Sequence, residues 1–168
     1  KFINEERPDI LGISEANFWE ENDLEKLKTF LEQTGYEHYI FSKSNTDFNI
    51  IMFSKFPIQN SQIITDNIWH SILKVKINDI NYYILHLNPL YENERVKEIQ
   101  ELFSNYVDFE ENNIVMGDFN SLSKADAYDE EKLKYKYEKS YQKLHPNFQV
   151  APIVLRRNDI ISYSNTPV

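Results

Sequence analysis

The sequence predicts an α/β (α+β) domain in which strands joined by hairpins are interleaved with a few helices. Short apolar runs bounded by turn residues are typical of buried strands. The dipeptide Asn78-Asp79, between an alternating run and an apolar run, indicates a tight hairpin. Amphipathic stretches between the strands predict helices, which indicates a layered α/β arrangement. With 168 residues and no linker or internal repeat, we expect a single domain over residues 1–168.

The predicted elements follow one another with clear boundary signals. A helix ends before Pro8, and a strand over residues 10–13 comes next. Residues 22–31 predict an amphipathic helix, with Asn22 as its N-cap and Gly35 as its end. Further strands are predicted at residues 36–42, 49–53, 73–77, 82–85, 114–116 and 156–162, and further helices at residues 93–106 and 129–144.

The composition limits the chemistry and the surroundings of the protein. There is no cysteine, which excludes disulfides, thiolate metal sites and a cysteine nucleophile and fits a reducing compartment. No apolar run approaches the ~20 residues of a membrane span, and residues 1–6 lack the pattern of a signal peptide. The net charge of −9 argues against tight, non-specific DNA binding, although a bound divalent cation could offset it. We expect a monomer with no membrane span and favour the cytoplasm as its location.

The segment that follows the predicted strand at residues 114–116 carries the first candidate site. The strand stops at Gly117, where the backbone can bend without a side chain in the way. Asp118 and Asn120 come next and project to the same side if the chain stays extended, because side chains alternate along a strand. Asp and Asn also form loops in which they hydrogen-bond their own backbone. The segment alone leaves both interpretations open.

Two other predicted strands also end in polar residues. Glu15 follows the first of them, and His86 and Asn88 follow the second. One such strand end is common, but three suggest that polar groups collect at one edge of the sheets. A cap or surface acid is the ordinary alternative for Glu15, and a structural histidine is the ordinary alternative for His86.

A divalent-metal phosphoesterase would use this set of residues. Glu15 can bind a hard cation through oxygen. Asp118 and Asn120 can orient an attacking water and a phosphate oxygen. His86 can transfer a proton or hydrogen-bond the phosphate, while the metal polarises the phosphoryl group. Asp47, just before the strand at residues 49–53, is a weaker candidate for orienting His86.

The other histidines lack a comparable sequence context. His38, His70 and His145 do not follow the end of an apolar strand together with a second polar group. We assign these three residues no role from the sequence.

The ordered motifs resemble the endonuclease/exonuclease/phosphatase superfamily. They are Pro8-Asp9-Ile10-Leu11-Gly12-Ile13-Ser14-Glu15, the run from Ile50 to Ile58, Leu85-His86-Leu87, Val115-Met116-Gly117-Asp118-Phe119-Asn120 and Arg157-Asn158-Asp159-Ile160-Ile161. The Gly-Asp-Phe-Asn match is the most specific of them, and the others gain weight from their order. The resemblance covers nearly the whole chain.

The resemblance implies a fold and an activity. The fold is a four-layered α/β sandwich in which two mainly antiparallel sheets pack face to face with helices outside. The activity is hydrolysis of a phosphoester substrate, with nucleic acid among the candidates, by water in the presence of Mg²⁺ or Mn²⁺. In this family frame Glu15 is the metal ligand and His86 a phosphate ligand or general acid. The frame also gives Asp159 the task of orienting a second histidine.

Two departures from the family pattern leave competing hypotheses. The family's first strand, which ends in Asn, is absent, and the Ser-Asp-His segment expected near the end is replaced by Ser164-Asn165-Thr166-Pro167. We expect a chain truncated at both ends. A nuclease is the favoured activity, with a phospholipid or small-molecule phosphoesterase as the alternative. A non-catalytic binding or scaffold domain that keeps the sandwich is the hypothesis from a different class.

Overall fold

The computed structural model describes residues 2–17, 19, 24–121 and 131–132. The chain divides into two compact units, residues 1–120 and 121–168. Within the second unit the described residues are Ser121 and the helical pair Glu131 and Lys132. The predicted strand at residues 156–162 lies outside the described residues, as does the rest of the predicted helix at residues 129–144.

The first unit contains two sheets. Its elements are α1 (Phe2–Glu6), β1 (Ile10–Ser14), α2 (Leu24–Thr34), β2 (His38–Ser42), β3 (Ile50–Ser54), β4 (Asn60–Ile64), β5 (Ser71–Ile77), β6 (Ile80–His86), α3 (Glu92–Asn105) and β7 (Asn112–Asp118). One sheet has the order β1-β3-β2 and the other β4-β5-β6-β7. All of these neighbours are antiparallel except β6 and β7. The prediction of two mainly antiparallel sheets is confirmed.

The two sheets pack face to face, and helices cover their outer faces. The central layer joins Ile50 and Met52 of the first sheet to Leu73, Val75 and Ile84 of the second. On the outer face of the first sheet, a second apolar cluster includes α2, and on the outer face of the other sheet a third includes α3. These four layers are the predicted α/β sandwich. Among the described residues, no helix is both long and apolar enough to cross a membrane.

Turn residues set several of the element boundaries. Asn78 and Asp79 both have positive φ, at 49° and 61°, and they join β5 to β6 as the two-residue hairpin turn that the sequence predicts. Gly35 has φ 76° and its amide donates to the carbonyl of Leu31 at 2.9 Å, which ends α2. The predicted N-cap Asn22 lies outside the described residues.

The strand β4 was not predicted from the sequence. Four of its five residues are exposed, and only Ile64 is buried. Its side chains therefore give no alternating or apolar signal. The segment becomes a strand because its backbone pairs with β5 from Asn60–Lys76 to Ile64–Ile72 at the edge of the sheet.

Candidate active site

Three strand ends carry the candidate residues. β6 and β7 run parallel, and their last residues, His86 and Asp118, face each other in the register of the sheet. Glu15 directly follows β1 of the other sheet and adopts a left-handed conformation with φ 57°. This conformation is uncommon for a residue with a side chain and marks an abrupt change of chain direction at the strand end. Two of the three polar strand ends, those of His86 and Asp118, therefore lie in one sheet, and the third, that of Glu15, lies in the other.

His86 and Asp118 form the centre of the candidate site. Nε2 of His86 lies 3.9 Å from Oδ2 of Asp118. The imidazole is 3% exposed, whereas the carboxylate is 48% exposed. The pair therefore joins a buried ring to a carboxylate at the surface, where water and a substrate have access.

Two carboxylates act on the same buried imidazole. Burial has the largest effect on the pKa of His86 and lowers it, while Asp118 and then Glu15 raise it. The pKa stays below its ordinary value, so the ring is neutral at pH 7. A neutral imidazole has one N–H donor and one acceptor nitrogen, so it can donate a hydrogen bond to a phosphate oxygen.

The Asp118–Asn120 segment is a turn and not an extended strand. The amide of Asn120 donates to Oδ1 of Asp118 at 2.8 Å, and Asn120 has φ 48°. The chain does not stay extended beyond β7, so the condition under which the two side chains were expected to project to the same side is not met. One oxygen of Asp118 caps the turn, as in the interpretation of this segment as a loop, and the other oxygen faces His86, as a site residue would.

Backbone contacts fix this turn against β6. The carbonyl of Leu87 accepts from Nδ2 of Asn120 at 2.7 Å, and the amide of Leu87 donates to the carbonyl of Asp118 at 2.9 Å. Gly117 has φ 134°, and a Cβ at that position would lie 2.1 Å from the carbonyl oxygen of Leu85. Only glycine lets β7 approach β6 this closely. Asn120 is therefore held beside the residue that follows His86.

His70 contacts the candidate site, although no role is assigned to it from the sequence. Its ring stacks on that of His86 with centroids 4.1 Å apart and an angle of 18° between the planes. The sequence of the β5–β6 hairpin contains a signal for this contact. Because the turn pairs Ile77 with Ile80, counting back along both strands pairs Ser71 with His86. His70 is therefore placed next to His86 once the turn is assigned.

The remaining sequence candidates have different outcomes. Oδ1 of Asn88 accepts from the amides of Leu90 and Tyr91 at 2.8 and 3.0 Å, so this side chain shapes the turn before α3. Asp47 is exposed, and the carboxylates that act on His86 are Asp118 and Glu15. Asp159 lies outside the described residues, and its role stays a prediction.

The donor set fits a hard divalent cation with an incomplete protein ligand shell. In the part of the chain that the structure describes, no group of three or more Asp, Glu or His side chains could hold a metal ion. Glu15 and Asp118 supply two exposed carboxylates. Mg²⁺ is commonly bound through one or two carboxylates, with water and substrate phosphate as the other ligands. Each of these carboxylates can therefore offer an oxygen ligand of the kind that Mg²⁺ or the similar Mn²⁺ binds.

The chain belongs to the Endonuclease/Exonuclease/phosphatase family, whose profile matches residues 1–146. This membership agrees with the sandwich fold and with the motifs at the strand ends. A comparison with curated protein sequences gave no match.

Solved structures share the fold at low sequence identity. An AP endonuclease from Archaeoglobus fulgidus is 20% identical with a TM-score of 0.57, over 89% of this chain and 68% of that one. ANGEL2, a 2′,3′-cyclic phosphatase in complex with adenosine-2′,3′-vanadate, is 16% identical with a TM-score of 0.54, over 95% of this chain and 55% of that one. A family protein from Leptotrichia buccalis C-1013-b is 20% identical with a TM-score of 0.50, over 71% and 57%. This chain thus spans about half to two-thirds of these structures.

Proposed function

We propose that this chain carries part of the active site of a divalent-metal-dependent phosphodiesterase that acts on nucleic acid. The observation that carries the proposal is the carboxylate of Asp118 lying 3.9 Å from the buried ring of His86, with Glu15, which follows a strand of the other sheet, raising the pKa of the same ring. These residues supply exposed carboxylates and a neutral imidazole. A phosphoester site needs both kinds of group.

Each residue has a defined task in the proposed reaction. Glu15 and Asp118 would hold Mg²⁺ or Mn²⁺, which supplies positive charge to the phosphoryl group when bound. The Oδ1 atom of Asn120 would accept a hydrogen bond from the attacking water and orient it, because its Nδ2 is engaged by the carbonyl of Leu87. His86, neutral at pH 7, would donate a hydrogen bond to a non-bridging phosphate oxygen.

The nucleic-acid substrate is supported by two different considerations. Two neighbours in fold are named as an AP endonuclease and a 2′,3′-cyclic phosphatase, and both names denote action on nucleic acid or nucleotide phosphoesters. The net charge of −9 argues against a surface that binds duplex DNA through many phosphate contacts. A short or single-stranded substrate, bound chiefly at the metal and at His86, is consistent with both considerations.

The test uses the longest natural form of the protein, including any residues that flank this sequence. Hydrolysis of bis-p-nitrophenyl phosphate, single-stranded DNA, RNA, plasmid DNA and sphingomyelin is measured in Mg²⁺, in Mn²⁺ and in EDTA. We expect cleavage of the nucleic acids that EDTA abolishes, and a loss of about 10²-fold or more in kcat for Glu15→Gln.

A matched control is His38→Asn, at the opposite end of the first sheet, where His38 pairs with Ser54. It should keep wild-type activity. Activity that survives both EDTA and Glu15→Gln would contradict the proposal. Preferential hydrolysis of sphingomyelin would replace nucleic acid with a lipid substrate.

A further inference from the structure

We propose that His70 is a positioning residue that holds the ring of His86 in one orientation. It does so directly, by stacking, and indirectly, by fixing the loop that carries Phe48. The catalytic consequence of this arrangement rests on the proposed phosphodiesterase function, whereas the arrangement itself can be tested without it.

Hydrogen bonds do not fix the ring of His86. Its Nδ1 atom is buried and has no hydrogen-bond partner among the described residues. Its Nε2 atom is 3.9 Å from the carboxylate of Asp118, which is too long for a hydrogen bond. Catalytic imidazoles are normally oriented by a bond to the second ring nitrogen. Because no such bond is present in the part of the chain that the structure describes, packing is what orients the ring there.

The stack with His70 provides this packing. The two ring centroids are 4.1 Å apart, the planes are inclined by 18°, and the residues are only 1% and 3% exposed. Burial and the neighbouring His86 lower the pKa of His70 to about 4, so the rings meet without charge repulsion at neutral pH. An offset stack of this kind restricts rotation of His86 about its Cβ–Cγ bond.

His70 also holds the loop between β2 and β3. A hydrogen bond of 2.6 Å joins its Nδ1 to Oγ1 of Thr46, and its carbonyl accepts from the amide of Asn45 at 3.0 Å. The same Thr46 hydroxyl accepts from the amide of Phe48 at 3.2 Å. The Thr46 hydroxyl, which also pairs with Oγ of Ser44 at 3.2 Å, thus links the ring of His70 to the backbone of Phe48.

Phe48 contacts both imidazoles. Its ring is nearly perpendicular to them, with centroid distances of 5.4 Å to His70 and 6.0 Å to His86. Although Phe48 makes these contacts, it is 41% exposed and stays on the solvent side of the site. His70 thus contacts His86 with its own ring and, through Thr46, helps to hold the ring of Phe48 that also contacts His86.

Two substitutions separate the two contributions. His70→Phe keeps a ring to stack on His86 and removes the bond to Thr46. His70→Asn removes the ring and keeps a polar atom near the position of Nδ1. A third substitution, Thr46→Val, keeps the ring of His70 and removes the hydroxyl that joins it to the loop, together with the contacts of that hydroxyl to Phe48 and Ser44. His38→Phe and His38→Asn are the matched controls, at the end of the first sheet where His38 pairs with Ser54.

The first measurement is the side-chain order of His86, from NMR relaxation of protein labelled with ¹³C at the histidine Cε1. The second is kcat and KM for bis-p-nitrophenyl phosphate in Mg²⁺, and thermal unfolding verifies that each variant is folded. We expect His70→Asn to make His86 mobile and to lower kcat by about 10- to 100-fold at nearly constant KM. We expect His70→Phe and Thr46→Val to keep His86 ordered and to lower kcat by only about threefold.

An ordered His86 in folded His70→Asn, or a mobile His86 in folded His70→Phe, would overturn the proposal. If the wild type hydrolyses no phosphodiester, the proposed function fails, and the NMR result alone decides whether His70 positions His86. A fall in kcat that appears equally in the His38 controls would identify a general loss of stability and would also overturn it.

Discussion

Oδ2 of Asp118 faces Nε2 of His86 at 3.9 Å while Oδ1 of the same carboxylate accepts the amide of Asn120 at 2.8 Å. One carboxylate thus shapes the turn and faces the candidate site. The parallel register of β6 and β7 puts it there, since His86 and Asp118 are the last pair of that ladder. A substitution that keeps one side-chain oxygen and removes the charge can separate the structural role of Asp118 from its proposed chemical role.

Asp118→Asn is expected to remove activity without unfolding the turn. The amide oxygen can still accept from Asn120, whereas the negative charge next to His86 is lost. We expect kcat to fall by about 10²- to 10⁴-fold and the free energy of unfolding to change by less than about 1 kcal/mol. Steady-state kinetics and urea unfolding measure the two quantities.

The matched control for this change is Asp108→Asn. Oδ1 of Asp108 accepts from the amide of Glu110 at 3.0 Å in the same residue spacing, but in an exposed loop before β7. It should leave both kcat and stability unchanged. Equal falls in kcat in Asp108→Asn and Asp118→Asn would show that the effect does not come from the charge beside His86.

Gly117→Ala is expected to destabilise the fold strongly. The backbone has φ 134°, and the new Cβ would lie 2.1 Å from the carbonyl oxygen of Leu85, a backbone atom that cannot rotate away. We expect a loss of at least about 3 kcal/mol. Gly35→Ala is the control, with φ 76° and no atom within 4 Å of the added Cβ, and should cost about 1–2 kcal/mol. Equal losses for the two variants would contradict the close approach of β7 to β6.

The protein is expected to lose stability as the pH falls from 6.5 to 4. The folded-state pKa of His70 is about 4, below the ordinary 6.5, so its contribution is present above pH 6.5 and disappears as the pH falls through 4. Over the whole window this amounts to about 3 kcal/mol. Burial raises the pKa of Glu98, so that group loses its contribution as the pH rises and cannot cause the acid loss.

Urea unfolding between pH 4 and 7 measures this dependence. His70→Asn should flatten the curve, although a slope from His86 remains because burial lowers its pKa in the same direction. His38→Asn should leave the slope as in the wild type. An unchanged slope in His70→Asn would contradict a buried neutral ring at position 70.

The fold was predictable from the sequence where local signals agree with tertiary structure. Asn78 and Asp79 specify a two-residue turn, and the turn fixes the register of β5 and β6 over seven pairs. The ends of β1, β6 and β7 were likewise visible because apolar runs stop at polar residues. β4 could not be predicted from the sequence, because backbone pairing at the edge of the sheet, and not side-chain burial, makes it a strand.

The sequence predicts candidate residues but not how they are arranged. The motif predicts roles for Asp118 and Asn120, which stay predictions, and strand alternation could not place the two side chains because it ends before Asn120, which takes φ 48°. His70 was missed because a ring contact with His86 depends on register between two strands. Single residues next to apolar runs carry no such information.

Glu98 is expected to anchor both loops beside the stacked histidines. It is 3% exposed on α3, and its Oε1 accepts from the amide of Trp69 at 2.6 Å while its Oε2 accepts from the amide of Asn88 at 2.8 Å. These amides belong to the residue before His70 and to the second residue after His86. Glu98→Gln leaves one of them facing an N–H donor, so we expect a loss of about 1–3 kcal/mol at pH 7.

Hydrogen exchange gives this prediction a local readout. The protection of the Trp69 and Asn88 amides should fall in Glu98→Gln, because an amide side chain can accept from only one of the two. The control is Glu101→Gln on the same helix, where the exposed carboxylate accepts from side-chain amides of Asn67 and Asn105. Unchanged protection of both backbone amides in Glu98→Gln would show that the loops keep their positions without the carboxylate, and that the stacked rings are held by their own packing.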